Sequence, residues 1–233
     1  MFISKEQSKQ VIDYFHTYGN LYNKNTLQTM INDFDKDISY KNCCHELMQV
    51  YSSLDVIPNR LNIYKYVLQY LTKNFDLKSN ILEINGGPFP LLGKYIAKEQ
   101  VELKKGKITV YDPYLIIKRL NHVILSRRNF NLKQDISNYD LLISMKPGLM
   151  ADNIIKQANT YHKELFLICT NKLDFYSHYP IYNKKSWENY IDLLIHEDEQ
   201  NFIINKTKLP QEFGSNYFIL TKKKKCNKEV NHF

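Results

Sequence analysis

The sequence predicts an α/β protein: a mostly parallel sheet closed by a C-terminal antiparallel hairpin, with an N-terminal helical extension. Three observations lead there. Before Asn80 the apolar residues recur at helical spacing and no stretch reads as a strand. From Asn80 on, short apolar runs alternate with helical stretches, the rhythm of a parallel sheet with right-handed crossovers. The last two apolar runs have no helix between them, so they join best as an antiparallel hairpin at one edge. A chain of 233 residues can bury a proper core. The expected division is a helical cap over residues 1–57 and a sheet domain over residues 58–233.

The residues before Asn80 read as four helices. The first runs from Lys5 to Tyr18, with Val11, Ile12, Phe15 and Tyr18 as its apolar stripe and Gly19-Asn20 as its stop. Thr26 is the expected N-cap of a second, which carries Leu27, Met30, Ile31 and Phe34 on one face. A third spans Tyr40 to Tyr51. A fourth follows Pro58, with Leu61, Tyr64, Leu68 and Leu71 inward.

The sheet domain opens with Asn80 to Ala97. Ile81, Leu82 and Ile84 form a buried parallel strand holding Glu83 near its end. Gly86 and Gly87 then make a turn without Cβ atoms, and Pro90 sits where a first helical turn tolerates a missing N–H. Strand, glycine turn and helix together bring a ligand close to bare backbone. Lys107 to Tyr111 is the second strand, ending in Asp112-Pro113, and Leu115 to Leu120 is expected to begin a helix. Val123 to Leu125 is the third strand and Tyr139 to Met145 the fourth, broken by Pro147-Gly148. A helix over Leu149 to Tyr161 leads to the fifth strand, Glu164 to Thr170. Ser186 is the expected cap of a helix running to Glu197, and Phe202–Lys206 and Tyr217–Lys222 form the hairpin.

The order acid, glycine turn, helix resembles motif I of the class I S-adenosylmethionine (SAM)-dependent methyltransferases. That pattern is an acid followed by glycines two, four and six residues on. Here the acid is Glu83 and the three positions hold Asn85, Gly87 and Phe89, with Gly86 added. Asn tolerates a left-handed backbone better than most residues, so Asn85 can still make the turn. The family's Rossmann-like sheet also ends in an antiparallel insertion, which agrees with the elements from Pro58 to Lys225. The resemblance implies SAM as cofactor and a methyl-transfer activity. Asp112 matches the acid that binds the SAM ribose; the bare alternative is that Asp112-Pro113 starts a turn. Asn131 or Asp135 would read the adenine amino group, and Ser144 with its loop would lie beside the methyl. That loop does not carry the Asn-Pro-Pro-Tyr or Asp-Pro-Pro-Tyr signature of amino-group methylases of nucleic acids. The run Asn85-Gly-Gly-Pro-Phe-Pro-Leu is also similar to a turn of nicotianamine synthases, which transfer the aminocarboxypropyl group of SAM. A third reading keeps the fold without catalysis, as a binding protein.

The remaining signals are diffuse. After the fifth strand, Tyr176 and His178 stand among further tyrosines, either lining an acceptor pocket with His178 as base or covering core. The net charge is +8, with the excess from Asn80 onward; the run Lys222 to Lys225 either touches phosphate or is a solvated end. Cys43-Cys44-His45 reads as part of a helix in preference to a metal site, and the cysteine spacings fit a reducing cytoplasm. No leader or apolar run of membrane-spanning length stands out. The expected acceptor is a small molecule or RNA.

Overall fold

The computed structural model describes residues 4–18, 22–36, 45–57, 59–170, 184–213 and 217–225. Four helices lead: α1 (Lys5–Tyr18), α2 (Lys24–Lys36), α3 (His45–Ser53) and α4 (Ile63–Asn74). Then come β1 (Asn80–Ile84), α5 (Leu91–Glu102), β2 (Lys107–Tyr111), β3 (Val123–Ser126), β4 (Leu141–Met145), α6 (Ala151–Thr160), β5 (Glu164–Thr170), α7 (Lys184–His196), β6 (Phe202–Lys208) and β7 (Tyr217–Lys224).

Local chemistry fixes the helix starts. Ser4 and Gln7 cap α1 reciprocally: Ser4 Oγ accepts from the Gln7 N–H at 3.1 Å and Gln7 Oε1 from the Ser4 N–H at 2.8 Å. Asn62 caps α4, its side chain accepting from the N–H groups of Tyr64 and Lys65. Two caps differ from expectation. Helix α2 starts earlier, capped by Asn23, whose Oδ1 accepts from the Thr26 N–H at 2.9 Å. Ser186 falls inside α7.

The seven strands run in the order β3-β2-β1-β4-β5-β7-β6. Pairings among β1 to β5 are parallel, while β7 is antiparallel to both β5 and β6 and lies between them. This is the parallel sheet closed by an antiparallel hairpin that the alternation of elements implied, with β7 inserted between β5 and β6 as the family resemblance implied. Alternate strand residues serve two cores, as the two-residue period of a strand requires. Ile81, Ile108, Leu141, Ile143 and Phe166 face α1 to α5. Leu82, Leu142, Leu165, Leu167 and Leu220 face α6 and α7. The leading helices share one continuous core with the sheet: Phe15, Leu27, Val50 and Tyr51 are buried together with Phe89 and Ile96.

Residues 115–120 are not helical. Leu115 and Ile117 are buried while Tyr114 and Lys118 are exposed, so the apolar residues alternate with period two. The Ile116 N–H donates to Pro88 O at 3.1 Å, and the segment lies along the glycine turn.

Candidate functional site

Strand order reverses between β1 and β4, and the crevice at the carboxyl ends of such strands is where doubly wound sheets bind ligands. The turn after β1 lies there. Asn85 leaves the strand in the left-handed region, with φ of 57°, and its N–H extends the ladder to Tyr111 O at 2.9 Å. Gly87 has φ of 79°. Glycine at position 86 answers a different need: a Cβ there would stand 2.6 Å from Val110 Cγ1.

Asp112 reaches back from the end of β2 to this turn. Its Oδ2 accepts from the Gly87 N–H at 2.8 Å and its Oδ1 from the Tyr114 N–H at 2.7 Å. Burial raises its pKa, the Tyr114 and Gly87 N–H groups oppose that, and the Glu46 carboxylate of α3 raises it further. Each oxygen has spent one acceptor site, so the carboxylate can still accept two bonds from a diol.

Glu83 is buried beneath the turn. A Cβ on Gly93 would lie 2.6 Å from its Oε2, and one on Gly86 would lie 3.1 Å from its Cδ. Burial pushes its pKa up to about 8, against the pull of the Gly93 N–H; Asp112 adds to the rise. Ser144 is fully buried too, and its hydroxyl donates to Ile84 O at 2.6 Å, tying β4 to the end of β1. Asn131 and Asp135 are exposed and cap their own turns, accepting from the N–H groups of Lys133 and Ser137. The Ser137 bonds hold Asp135 below the usual carboxylate range. Tyr176, His178, Cys43 and Cys44 lie outside the described residues.

One residue of the site has no mark in the sequence. Gln49 of α3 donates from Nε2 to Gly86 O at 2.6 Å and accepts at Oε1 from the Phe89 N–H at 3.2 Å. Its amide bridges the turn from α3, a helix that precedes the sheet in the chain. Phe89, where the motif-I pattern has its last glycine, turns its ring into the leading helices, 5.4 Å from the rings of both Tyr14 and Phe15. A second unmarked group surrounds Tyr111: the Arg128 guanidinium lies 3.9 Å above its ring and donates to its hydroxyl, and the Tyr139 hydroxyl is 3.2 Å away.

No protein-family model and no curated protein sequence matches the chain. Among solved structures it is similar to a SAM-dependent methyltransferase from Aquifex aeolicus, at 16% identity over 75% of this chain and 97% of that one, with a TM-score of 0.47. It is also similar to the Methanococcus jannaschii fibrillarin pre-rRNA processing protein, at 13% identity over 63% of this chain and 66% of that one, TM-score 0.45. A third is the magnesium protoporphyrin IX methyltransferase of Synechocystis PCC 6803, at 12% identity over 71% and 84%, TM-score 0.44.

Proposed function

We propose that the chain is a SAM-dependent methyltransferase whose cofactor lies at the carboxyl edge, over the turn between β1 and α5. The observation that carries this reading is the Asp112–Gly87 hydrogen bond, which makes the turn after β1 and the acid after β2 one unit. In this reading Asn85, Gly86 and Gly87 offer close backbone approach. Asp112 accepts the two ribose hydroxyls. Asn131 or Asp135 pairs with the adenine amino group. Ser144 and Glu83 hold the strand ends from beneath. The carboxylates of Glu46 and Asp112 lie near this turn, and a site of that sign suits a cationic nucleoside.

SAM supplies a methyl group already activated on a sulfonium, so the protein's part is to hold donor and acceptor in line and to exclude water. Residues 1–57 serve as the cap that closes the site, with Gln49 as its contact to the turn. The acceptor is a small molecule or RNA, and Tyr176 and His178 are the candidates for its side of the site.

Asp112→Asn tests the assignment. The amide keeps one acceptor oxygen for the turn but loses the charge and one ribose acceptor. SAM affinity measured by calorimetry falls about ten- to a hundredfold, as expected for bonds to a charged group. An unchanged affinity with an intact circular-dichroism spectrum removes Asp112 from the site. The by-product identifies the group moved: S-adenosylhomocysteine marks methyl transfer, and methylthioadenosine marks aminocarboxypropyl transfer.

A further inference from the structure

Three cavities lie in series along α5. The first, of about 160 Å³, opens at the start of the helix between Tyr14, Phe89, Lys94 and Arg119. The second, of about 460 Å³, shares Lys94 and Arg119 with it and adds Lys98 and His122. The third, of about 470 Å³, shares Val101 and His122 with the second and adds Lys104, Lys105 and Lys107 at the end of α5 beside edge strand β3. Shared walls make them one groove.

Its charge is of one sign. Lys94, Lys98, Lys104, Lys105, Lys107 and Arg119 line it, and among the described residues no carboxylate does. Glu99 and Glu102 of the same helix line none of the three cavities. Among the described residues, none of the six cations forms an ion pair, whereas Lys65, Lys156, Lys206 and Lys222 elsewhere all do. A row of unpaired cations along a concave surface repels itself and concentrates counterions, an arrangement suited to a polyanion. Helix α5 has 12 residues, so the groove runs about 18 Å, room for a few phosphates of one strand.

We propose that this groove binds the phosphate backbone of a single-stranded nucleic acid. The groove starts at Phe89 and Pro90, immediately after the glycine turn, so a strand lying in it arrives at the candidate site. Binding itself does not depend on the methyltransferase reading. Should that reading hold, the bound strand is the acceptor. Tyr14, Tyr18 and Phe89 line its first cavity and Tyr95 its second, where a base can stack, while the third, among the described residues, holds cations and no Phe, Tyr or Trp and tracks backbone.

The test is fluorescence anisotropy with a labelled oligouridylate of about 12 nucleotides and its deoxythymidylate counterpart, without SAM, from about 0.05 to 0.3 M KCl. The affinity falls with salt at a log–log slope of about −0.7 for each phosphate neutralised. Lys98→Glu/Lys105→Glu/Arg119→Glu weakens binding at least about tenfold at ~0.1 M salt and flattens the slope by about 2. Lys223→Glu/Lys224→Glu/Lys225→Glu, an equal change of charge at the end of β7, leaves binding within about twofold. Three outcomes overturn the proposal: no binding at low salt, an equal loss in both variants, or binding of anionic lipid vesicles with none of either oligonucleotide. SAM titration of the groove variant stays at the wild-type value, so failure here is separable from failure of the cofactor site.

Discussion

Two residues under the glycine turn, Glu83 and Gln49, set how firmly it is held. Glu83 is packed between Gly86 and Gly93, with burial raising its pKa from 4.5 to about 8. The unfolded chain releases this proton near the lower value and the native protein holds it to the higher one. Stability therefore falls as pH rises through that window, on the order of 5 kcal/mol at ~1.4 kcal/mol per unit. Glu83→Gln removes the slope. Denaturant midpoints between pH 5 and 9 check this, and equal slopes in both proteins contradict it. Gln49 satisfies two backbone groups of the turn, Gly86 O and the Phe89 N–H. Gln49→Ala leaves both unpaired in a buried place and costs about 2–4 kcal/mol, read from chemical denaturation. A change under about 0.5 kcal/mol shows that water replaces the amide. The place of Asp112 just past the end of β2 was legible in the sequence, because it follows an apolar run beyond a glycine turn. Gln49 was not, because its partners lie 37 and 40 residues away and a helical glutamine has no local signature.

Elements were readable where their period was clean. Strands β1, β2 and β5 start and end where their apolar runs do. Residues 115–120 were misread because Leu115, Ile116, Ile117 and Leu120 also fit helical spacing; the alternation of burial became visible only against the turn they pack on. The hairpin of β6 and β7 was legible, but its anchorage was not. Lys222 of β7 is fully buried, donating to Ala158 O, Asn159 Oδ1 and Asp198 Oδ2 at 3.1, 2.8 and 2.8 Å. Burial lowers its pKa against the opposing pull of Asp198. For Asp198 burial works upward, yet bonds from Lys222, Asn201 and His162 bring its pKa below the ordinary value. The sequence marks this lysine as one of a basic run, whereas the fold uses it to join β7 to α6 and to the connection after α7. Lys222→Met strands the Asp198 carboxylate and destabilises the protein by about 3–5 kcal/mol. Lys222→Met/Asp198→Asn recovers part of that loss by removing the buried charge. Thermal unfolding of both variants checks the order, and a double variant no more stable than the single one contradicts it.

At the scale of the whole molecule, α1 to α4 and the sheet form one body around a shared core, with the turn after β1 held from both sides. One side is Asp112 at the end of β2, the other Gln49 on α3. A ligand at the carboxyl edge would therefore be sensed by the leading helices as well as by the sheet. Calorimetric titration of the full chain with SAM and with S-adenosylhomocysteine decides whether this edge holds the sulfonium nucleoside proposed above. Micromolar binding of both is expected. No heat and no thermal stabilisation at millimolar ligand would remove the cofactor site and leave the sheet used for interaction alone.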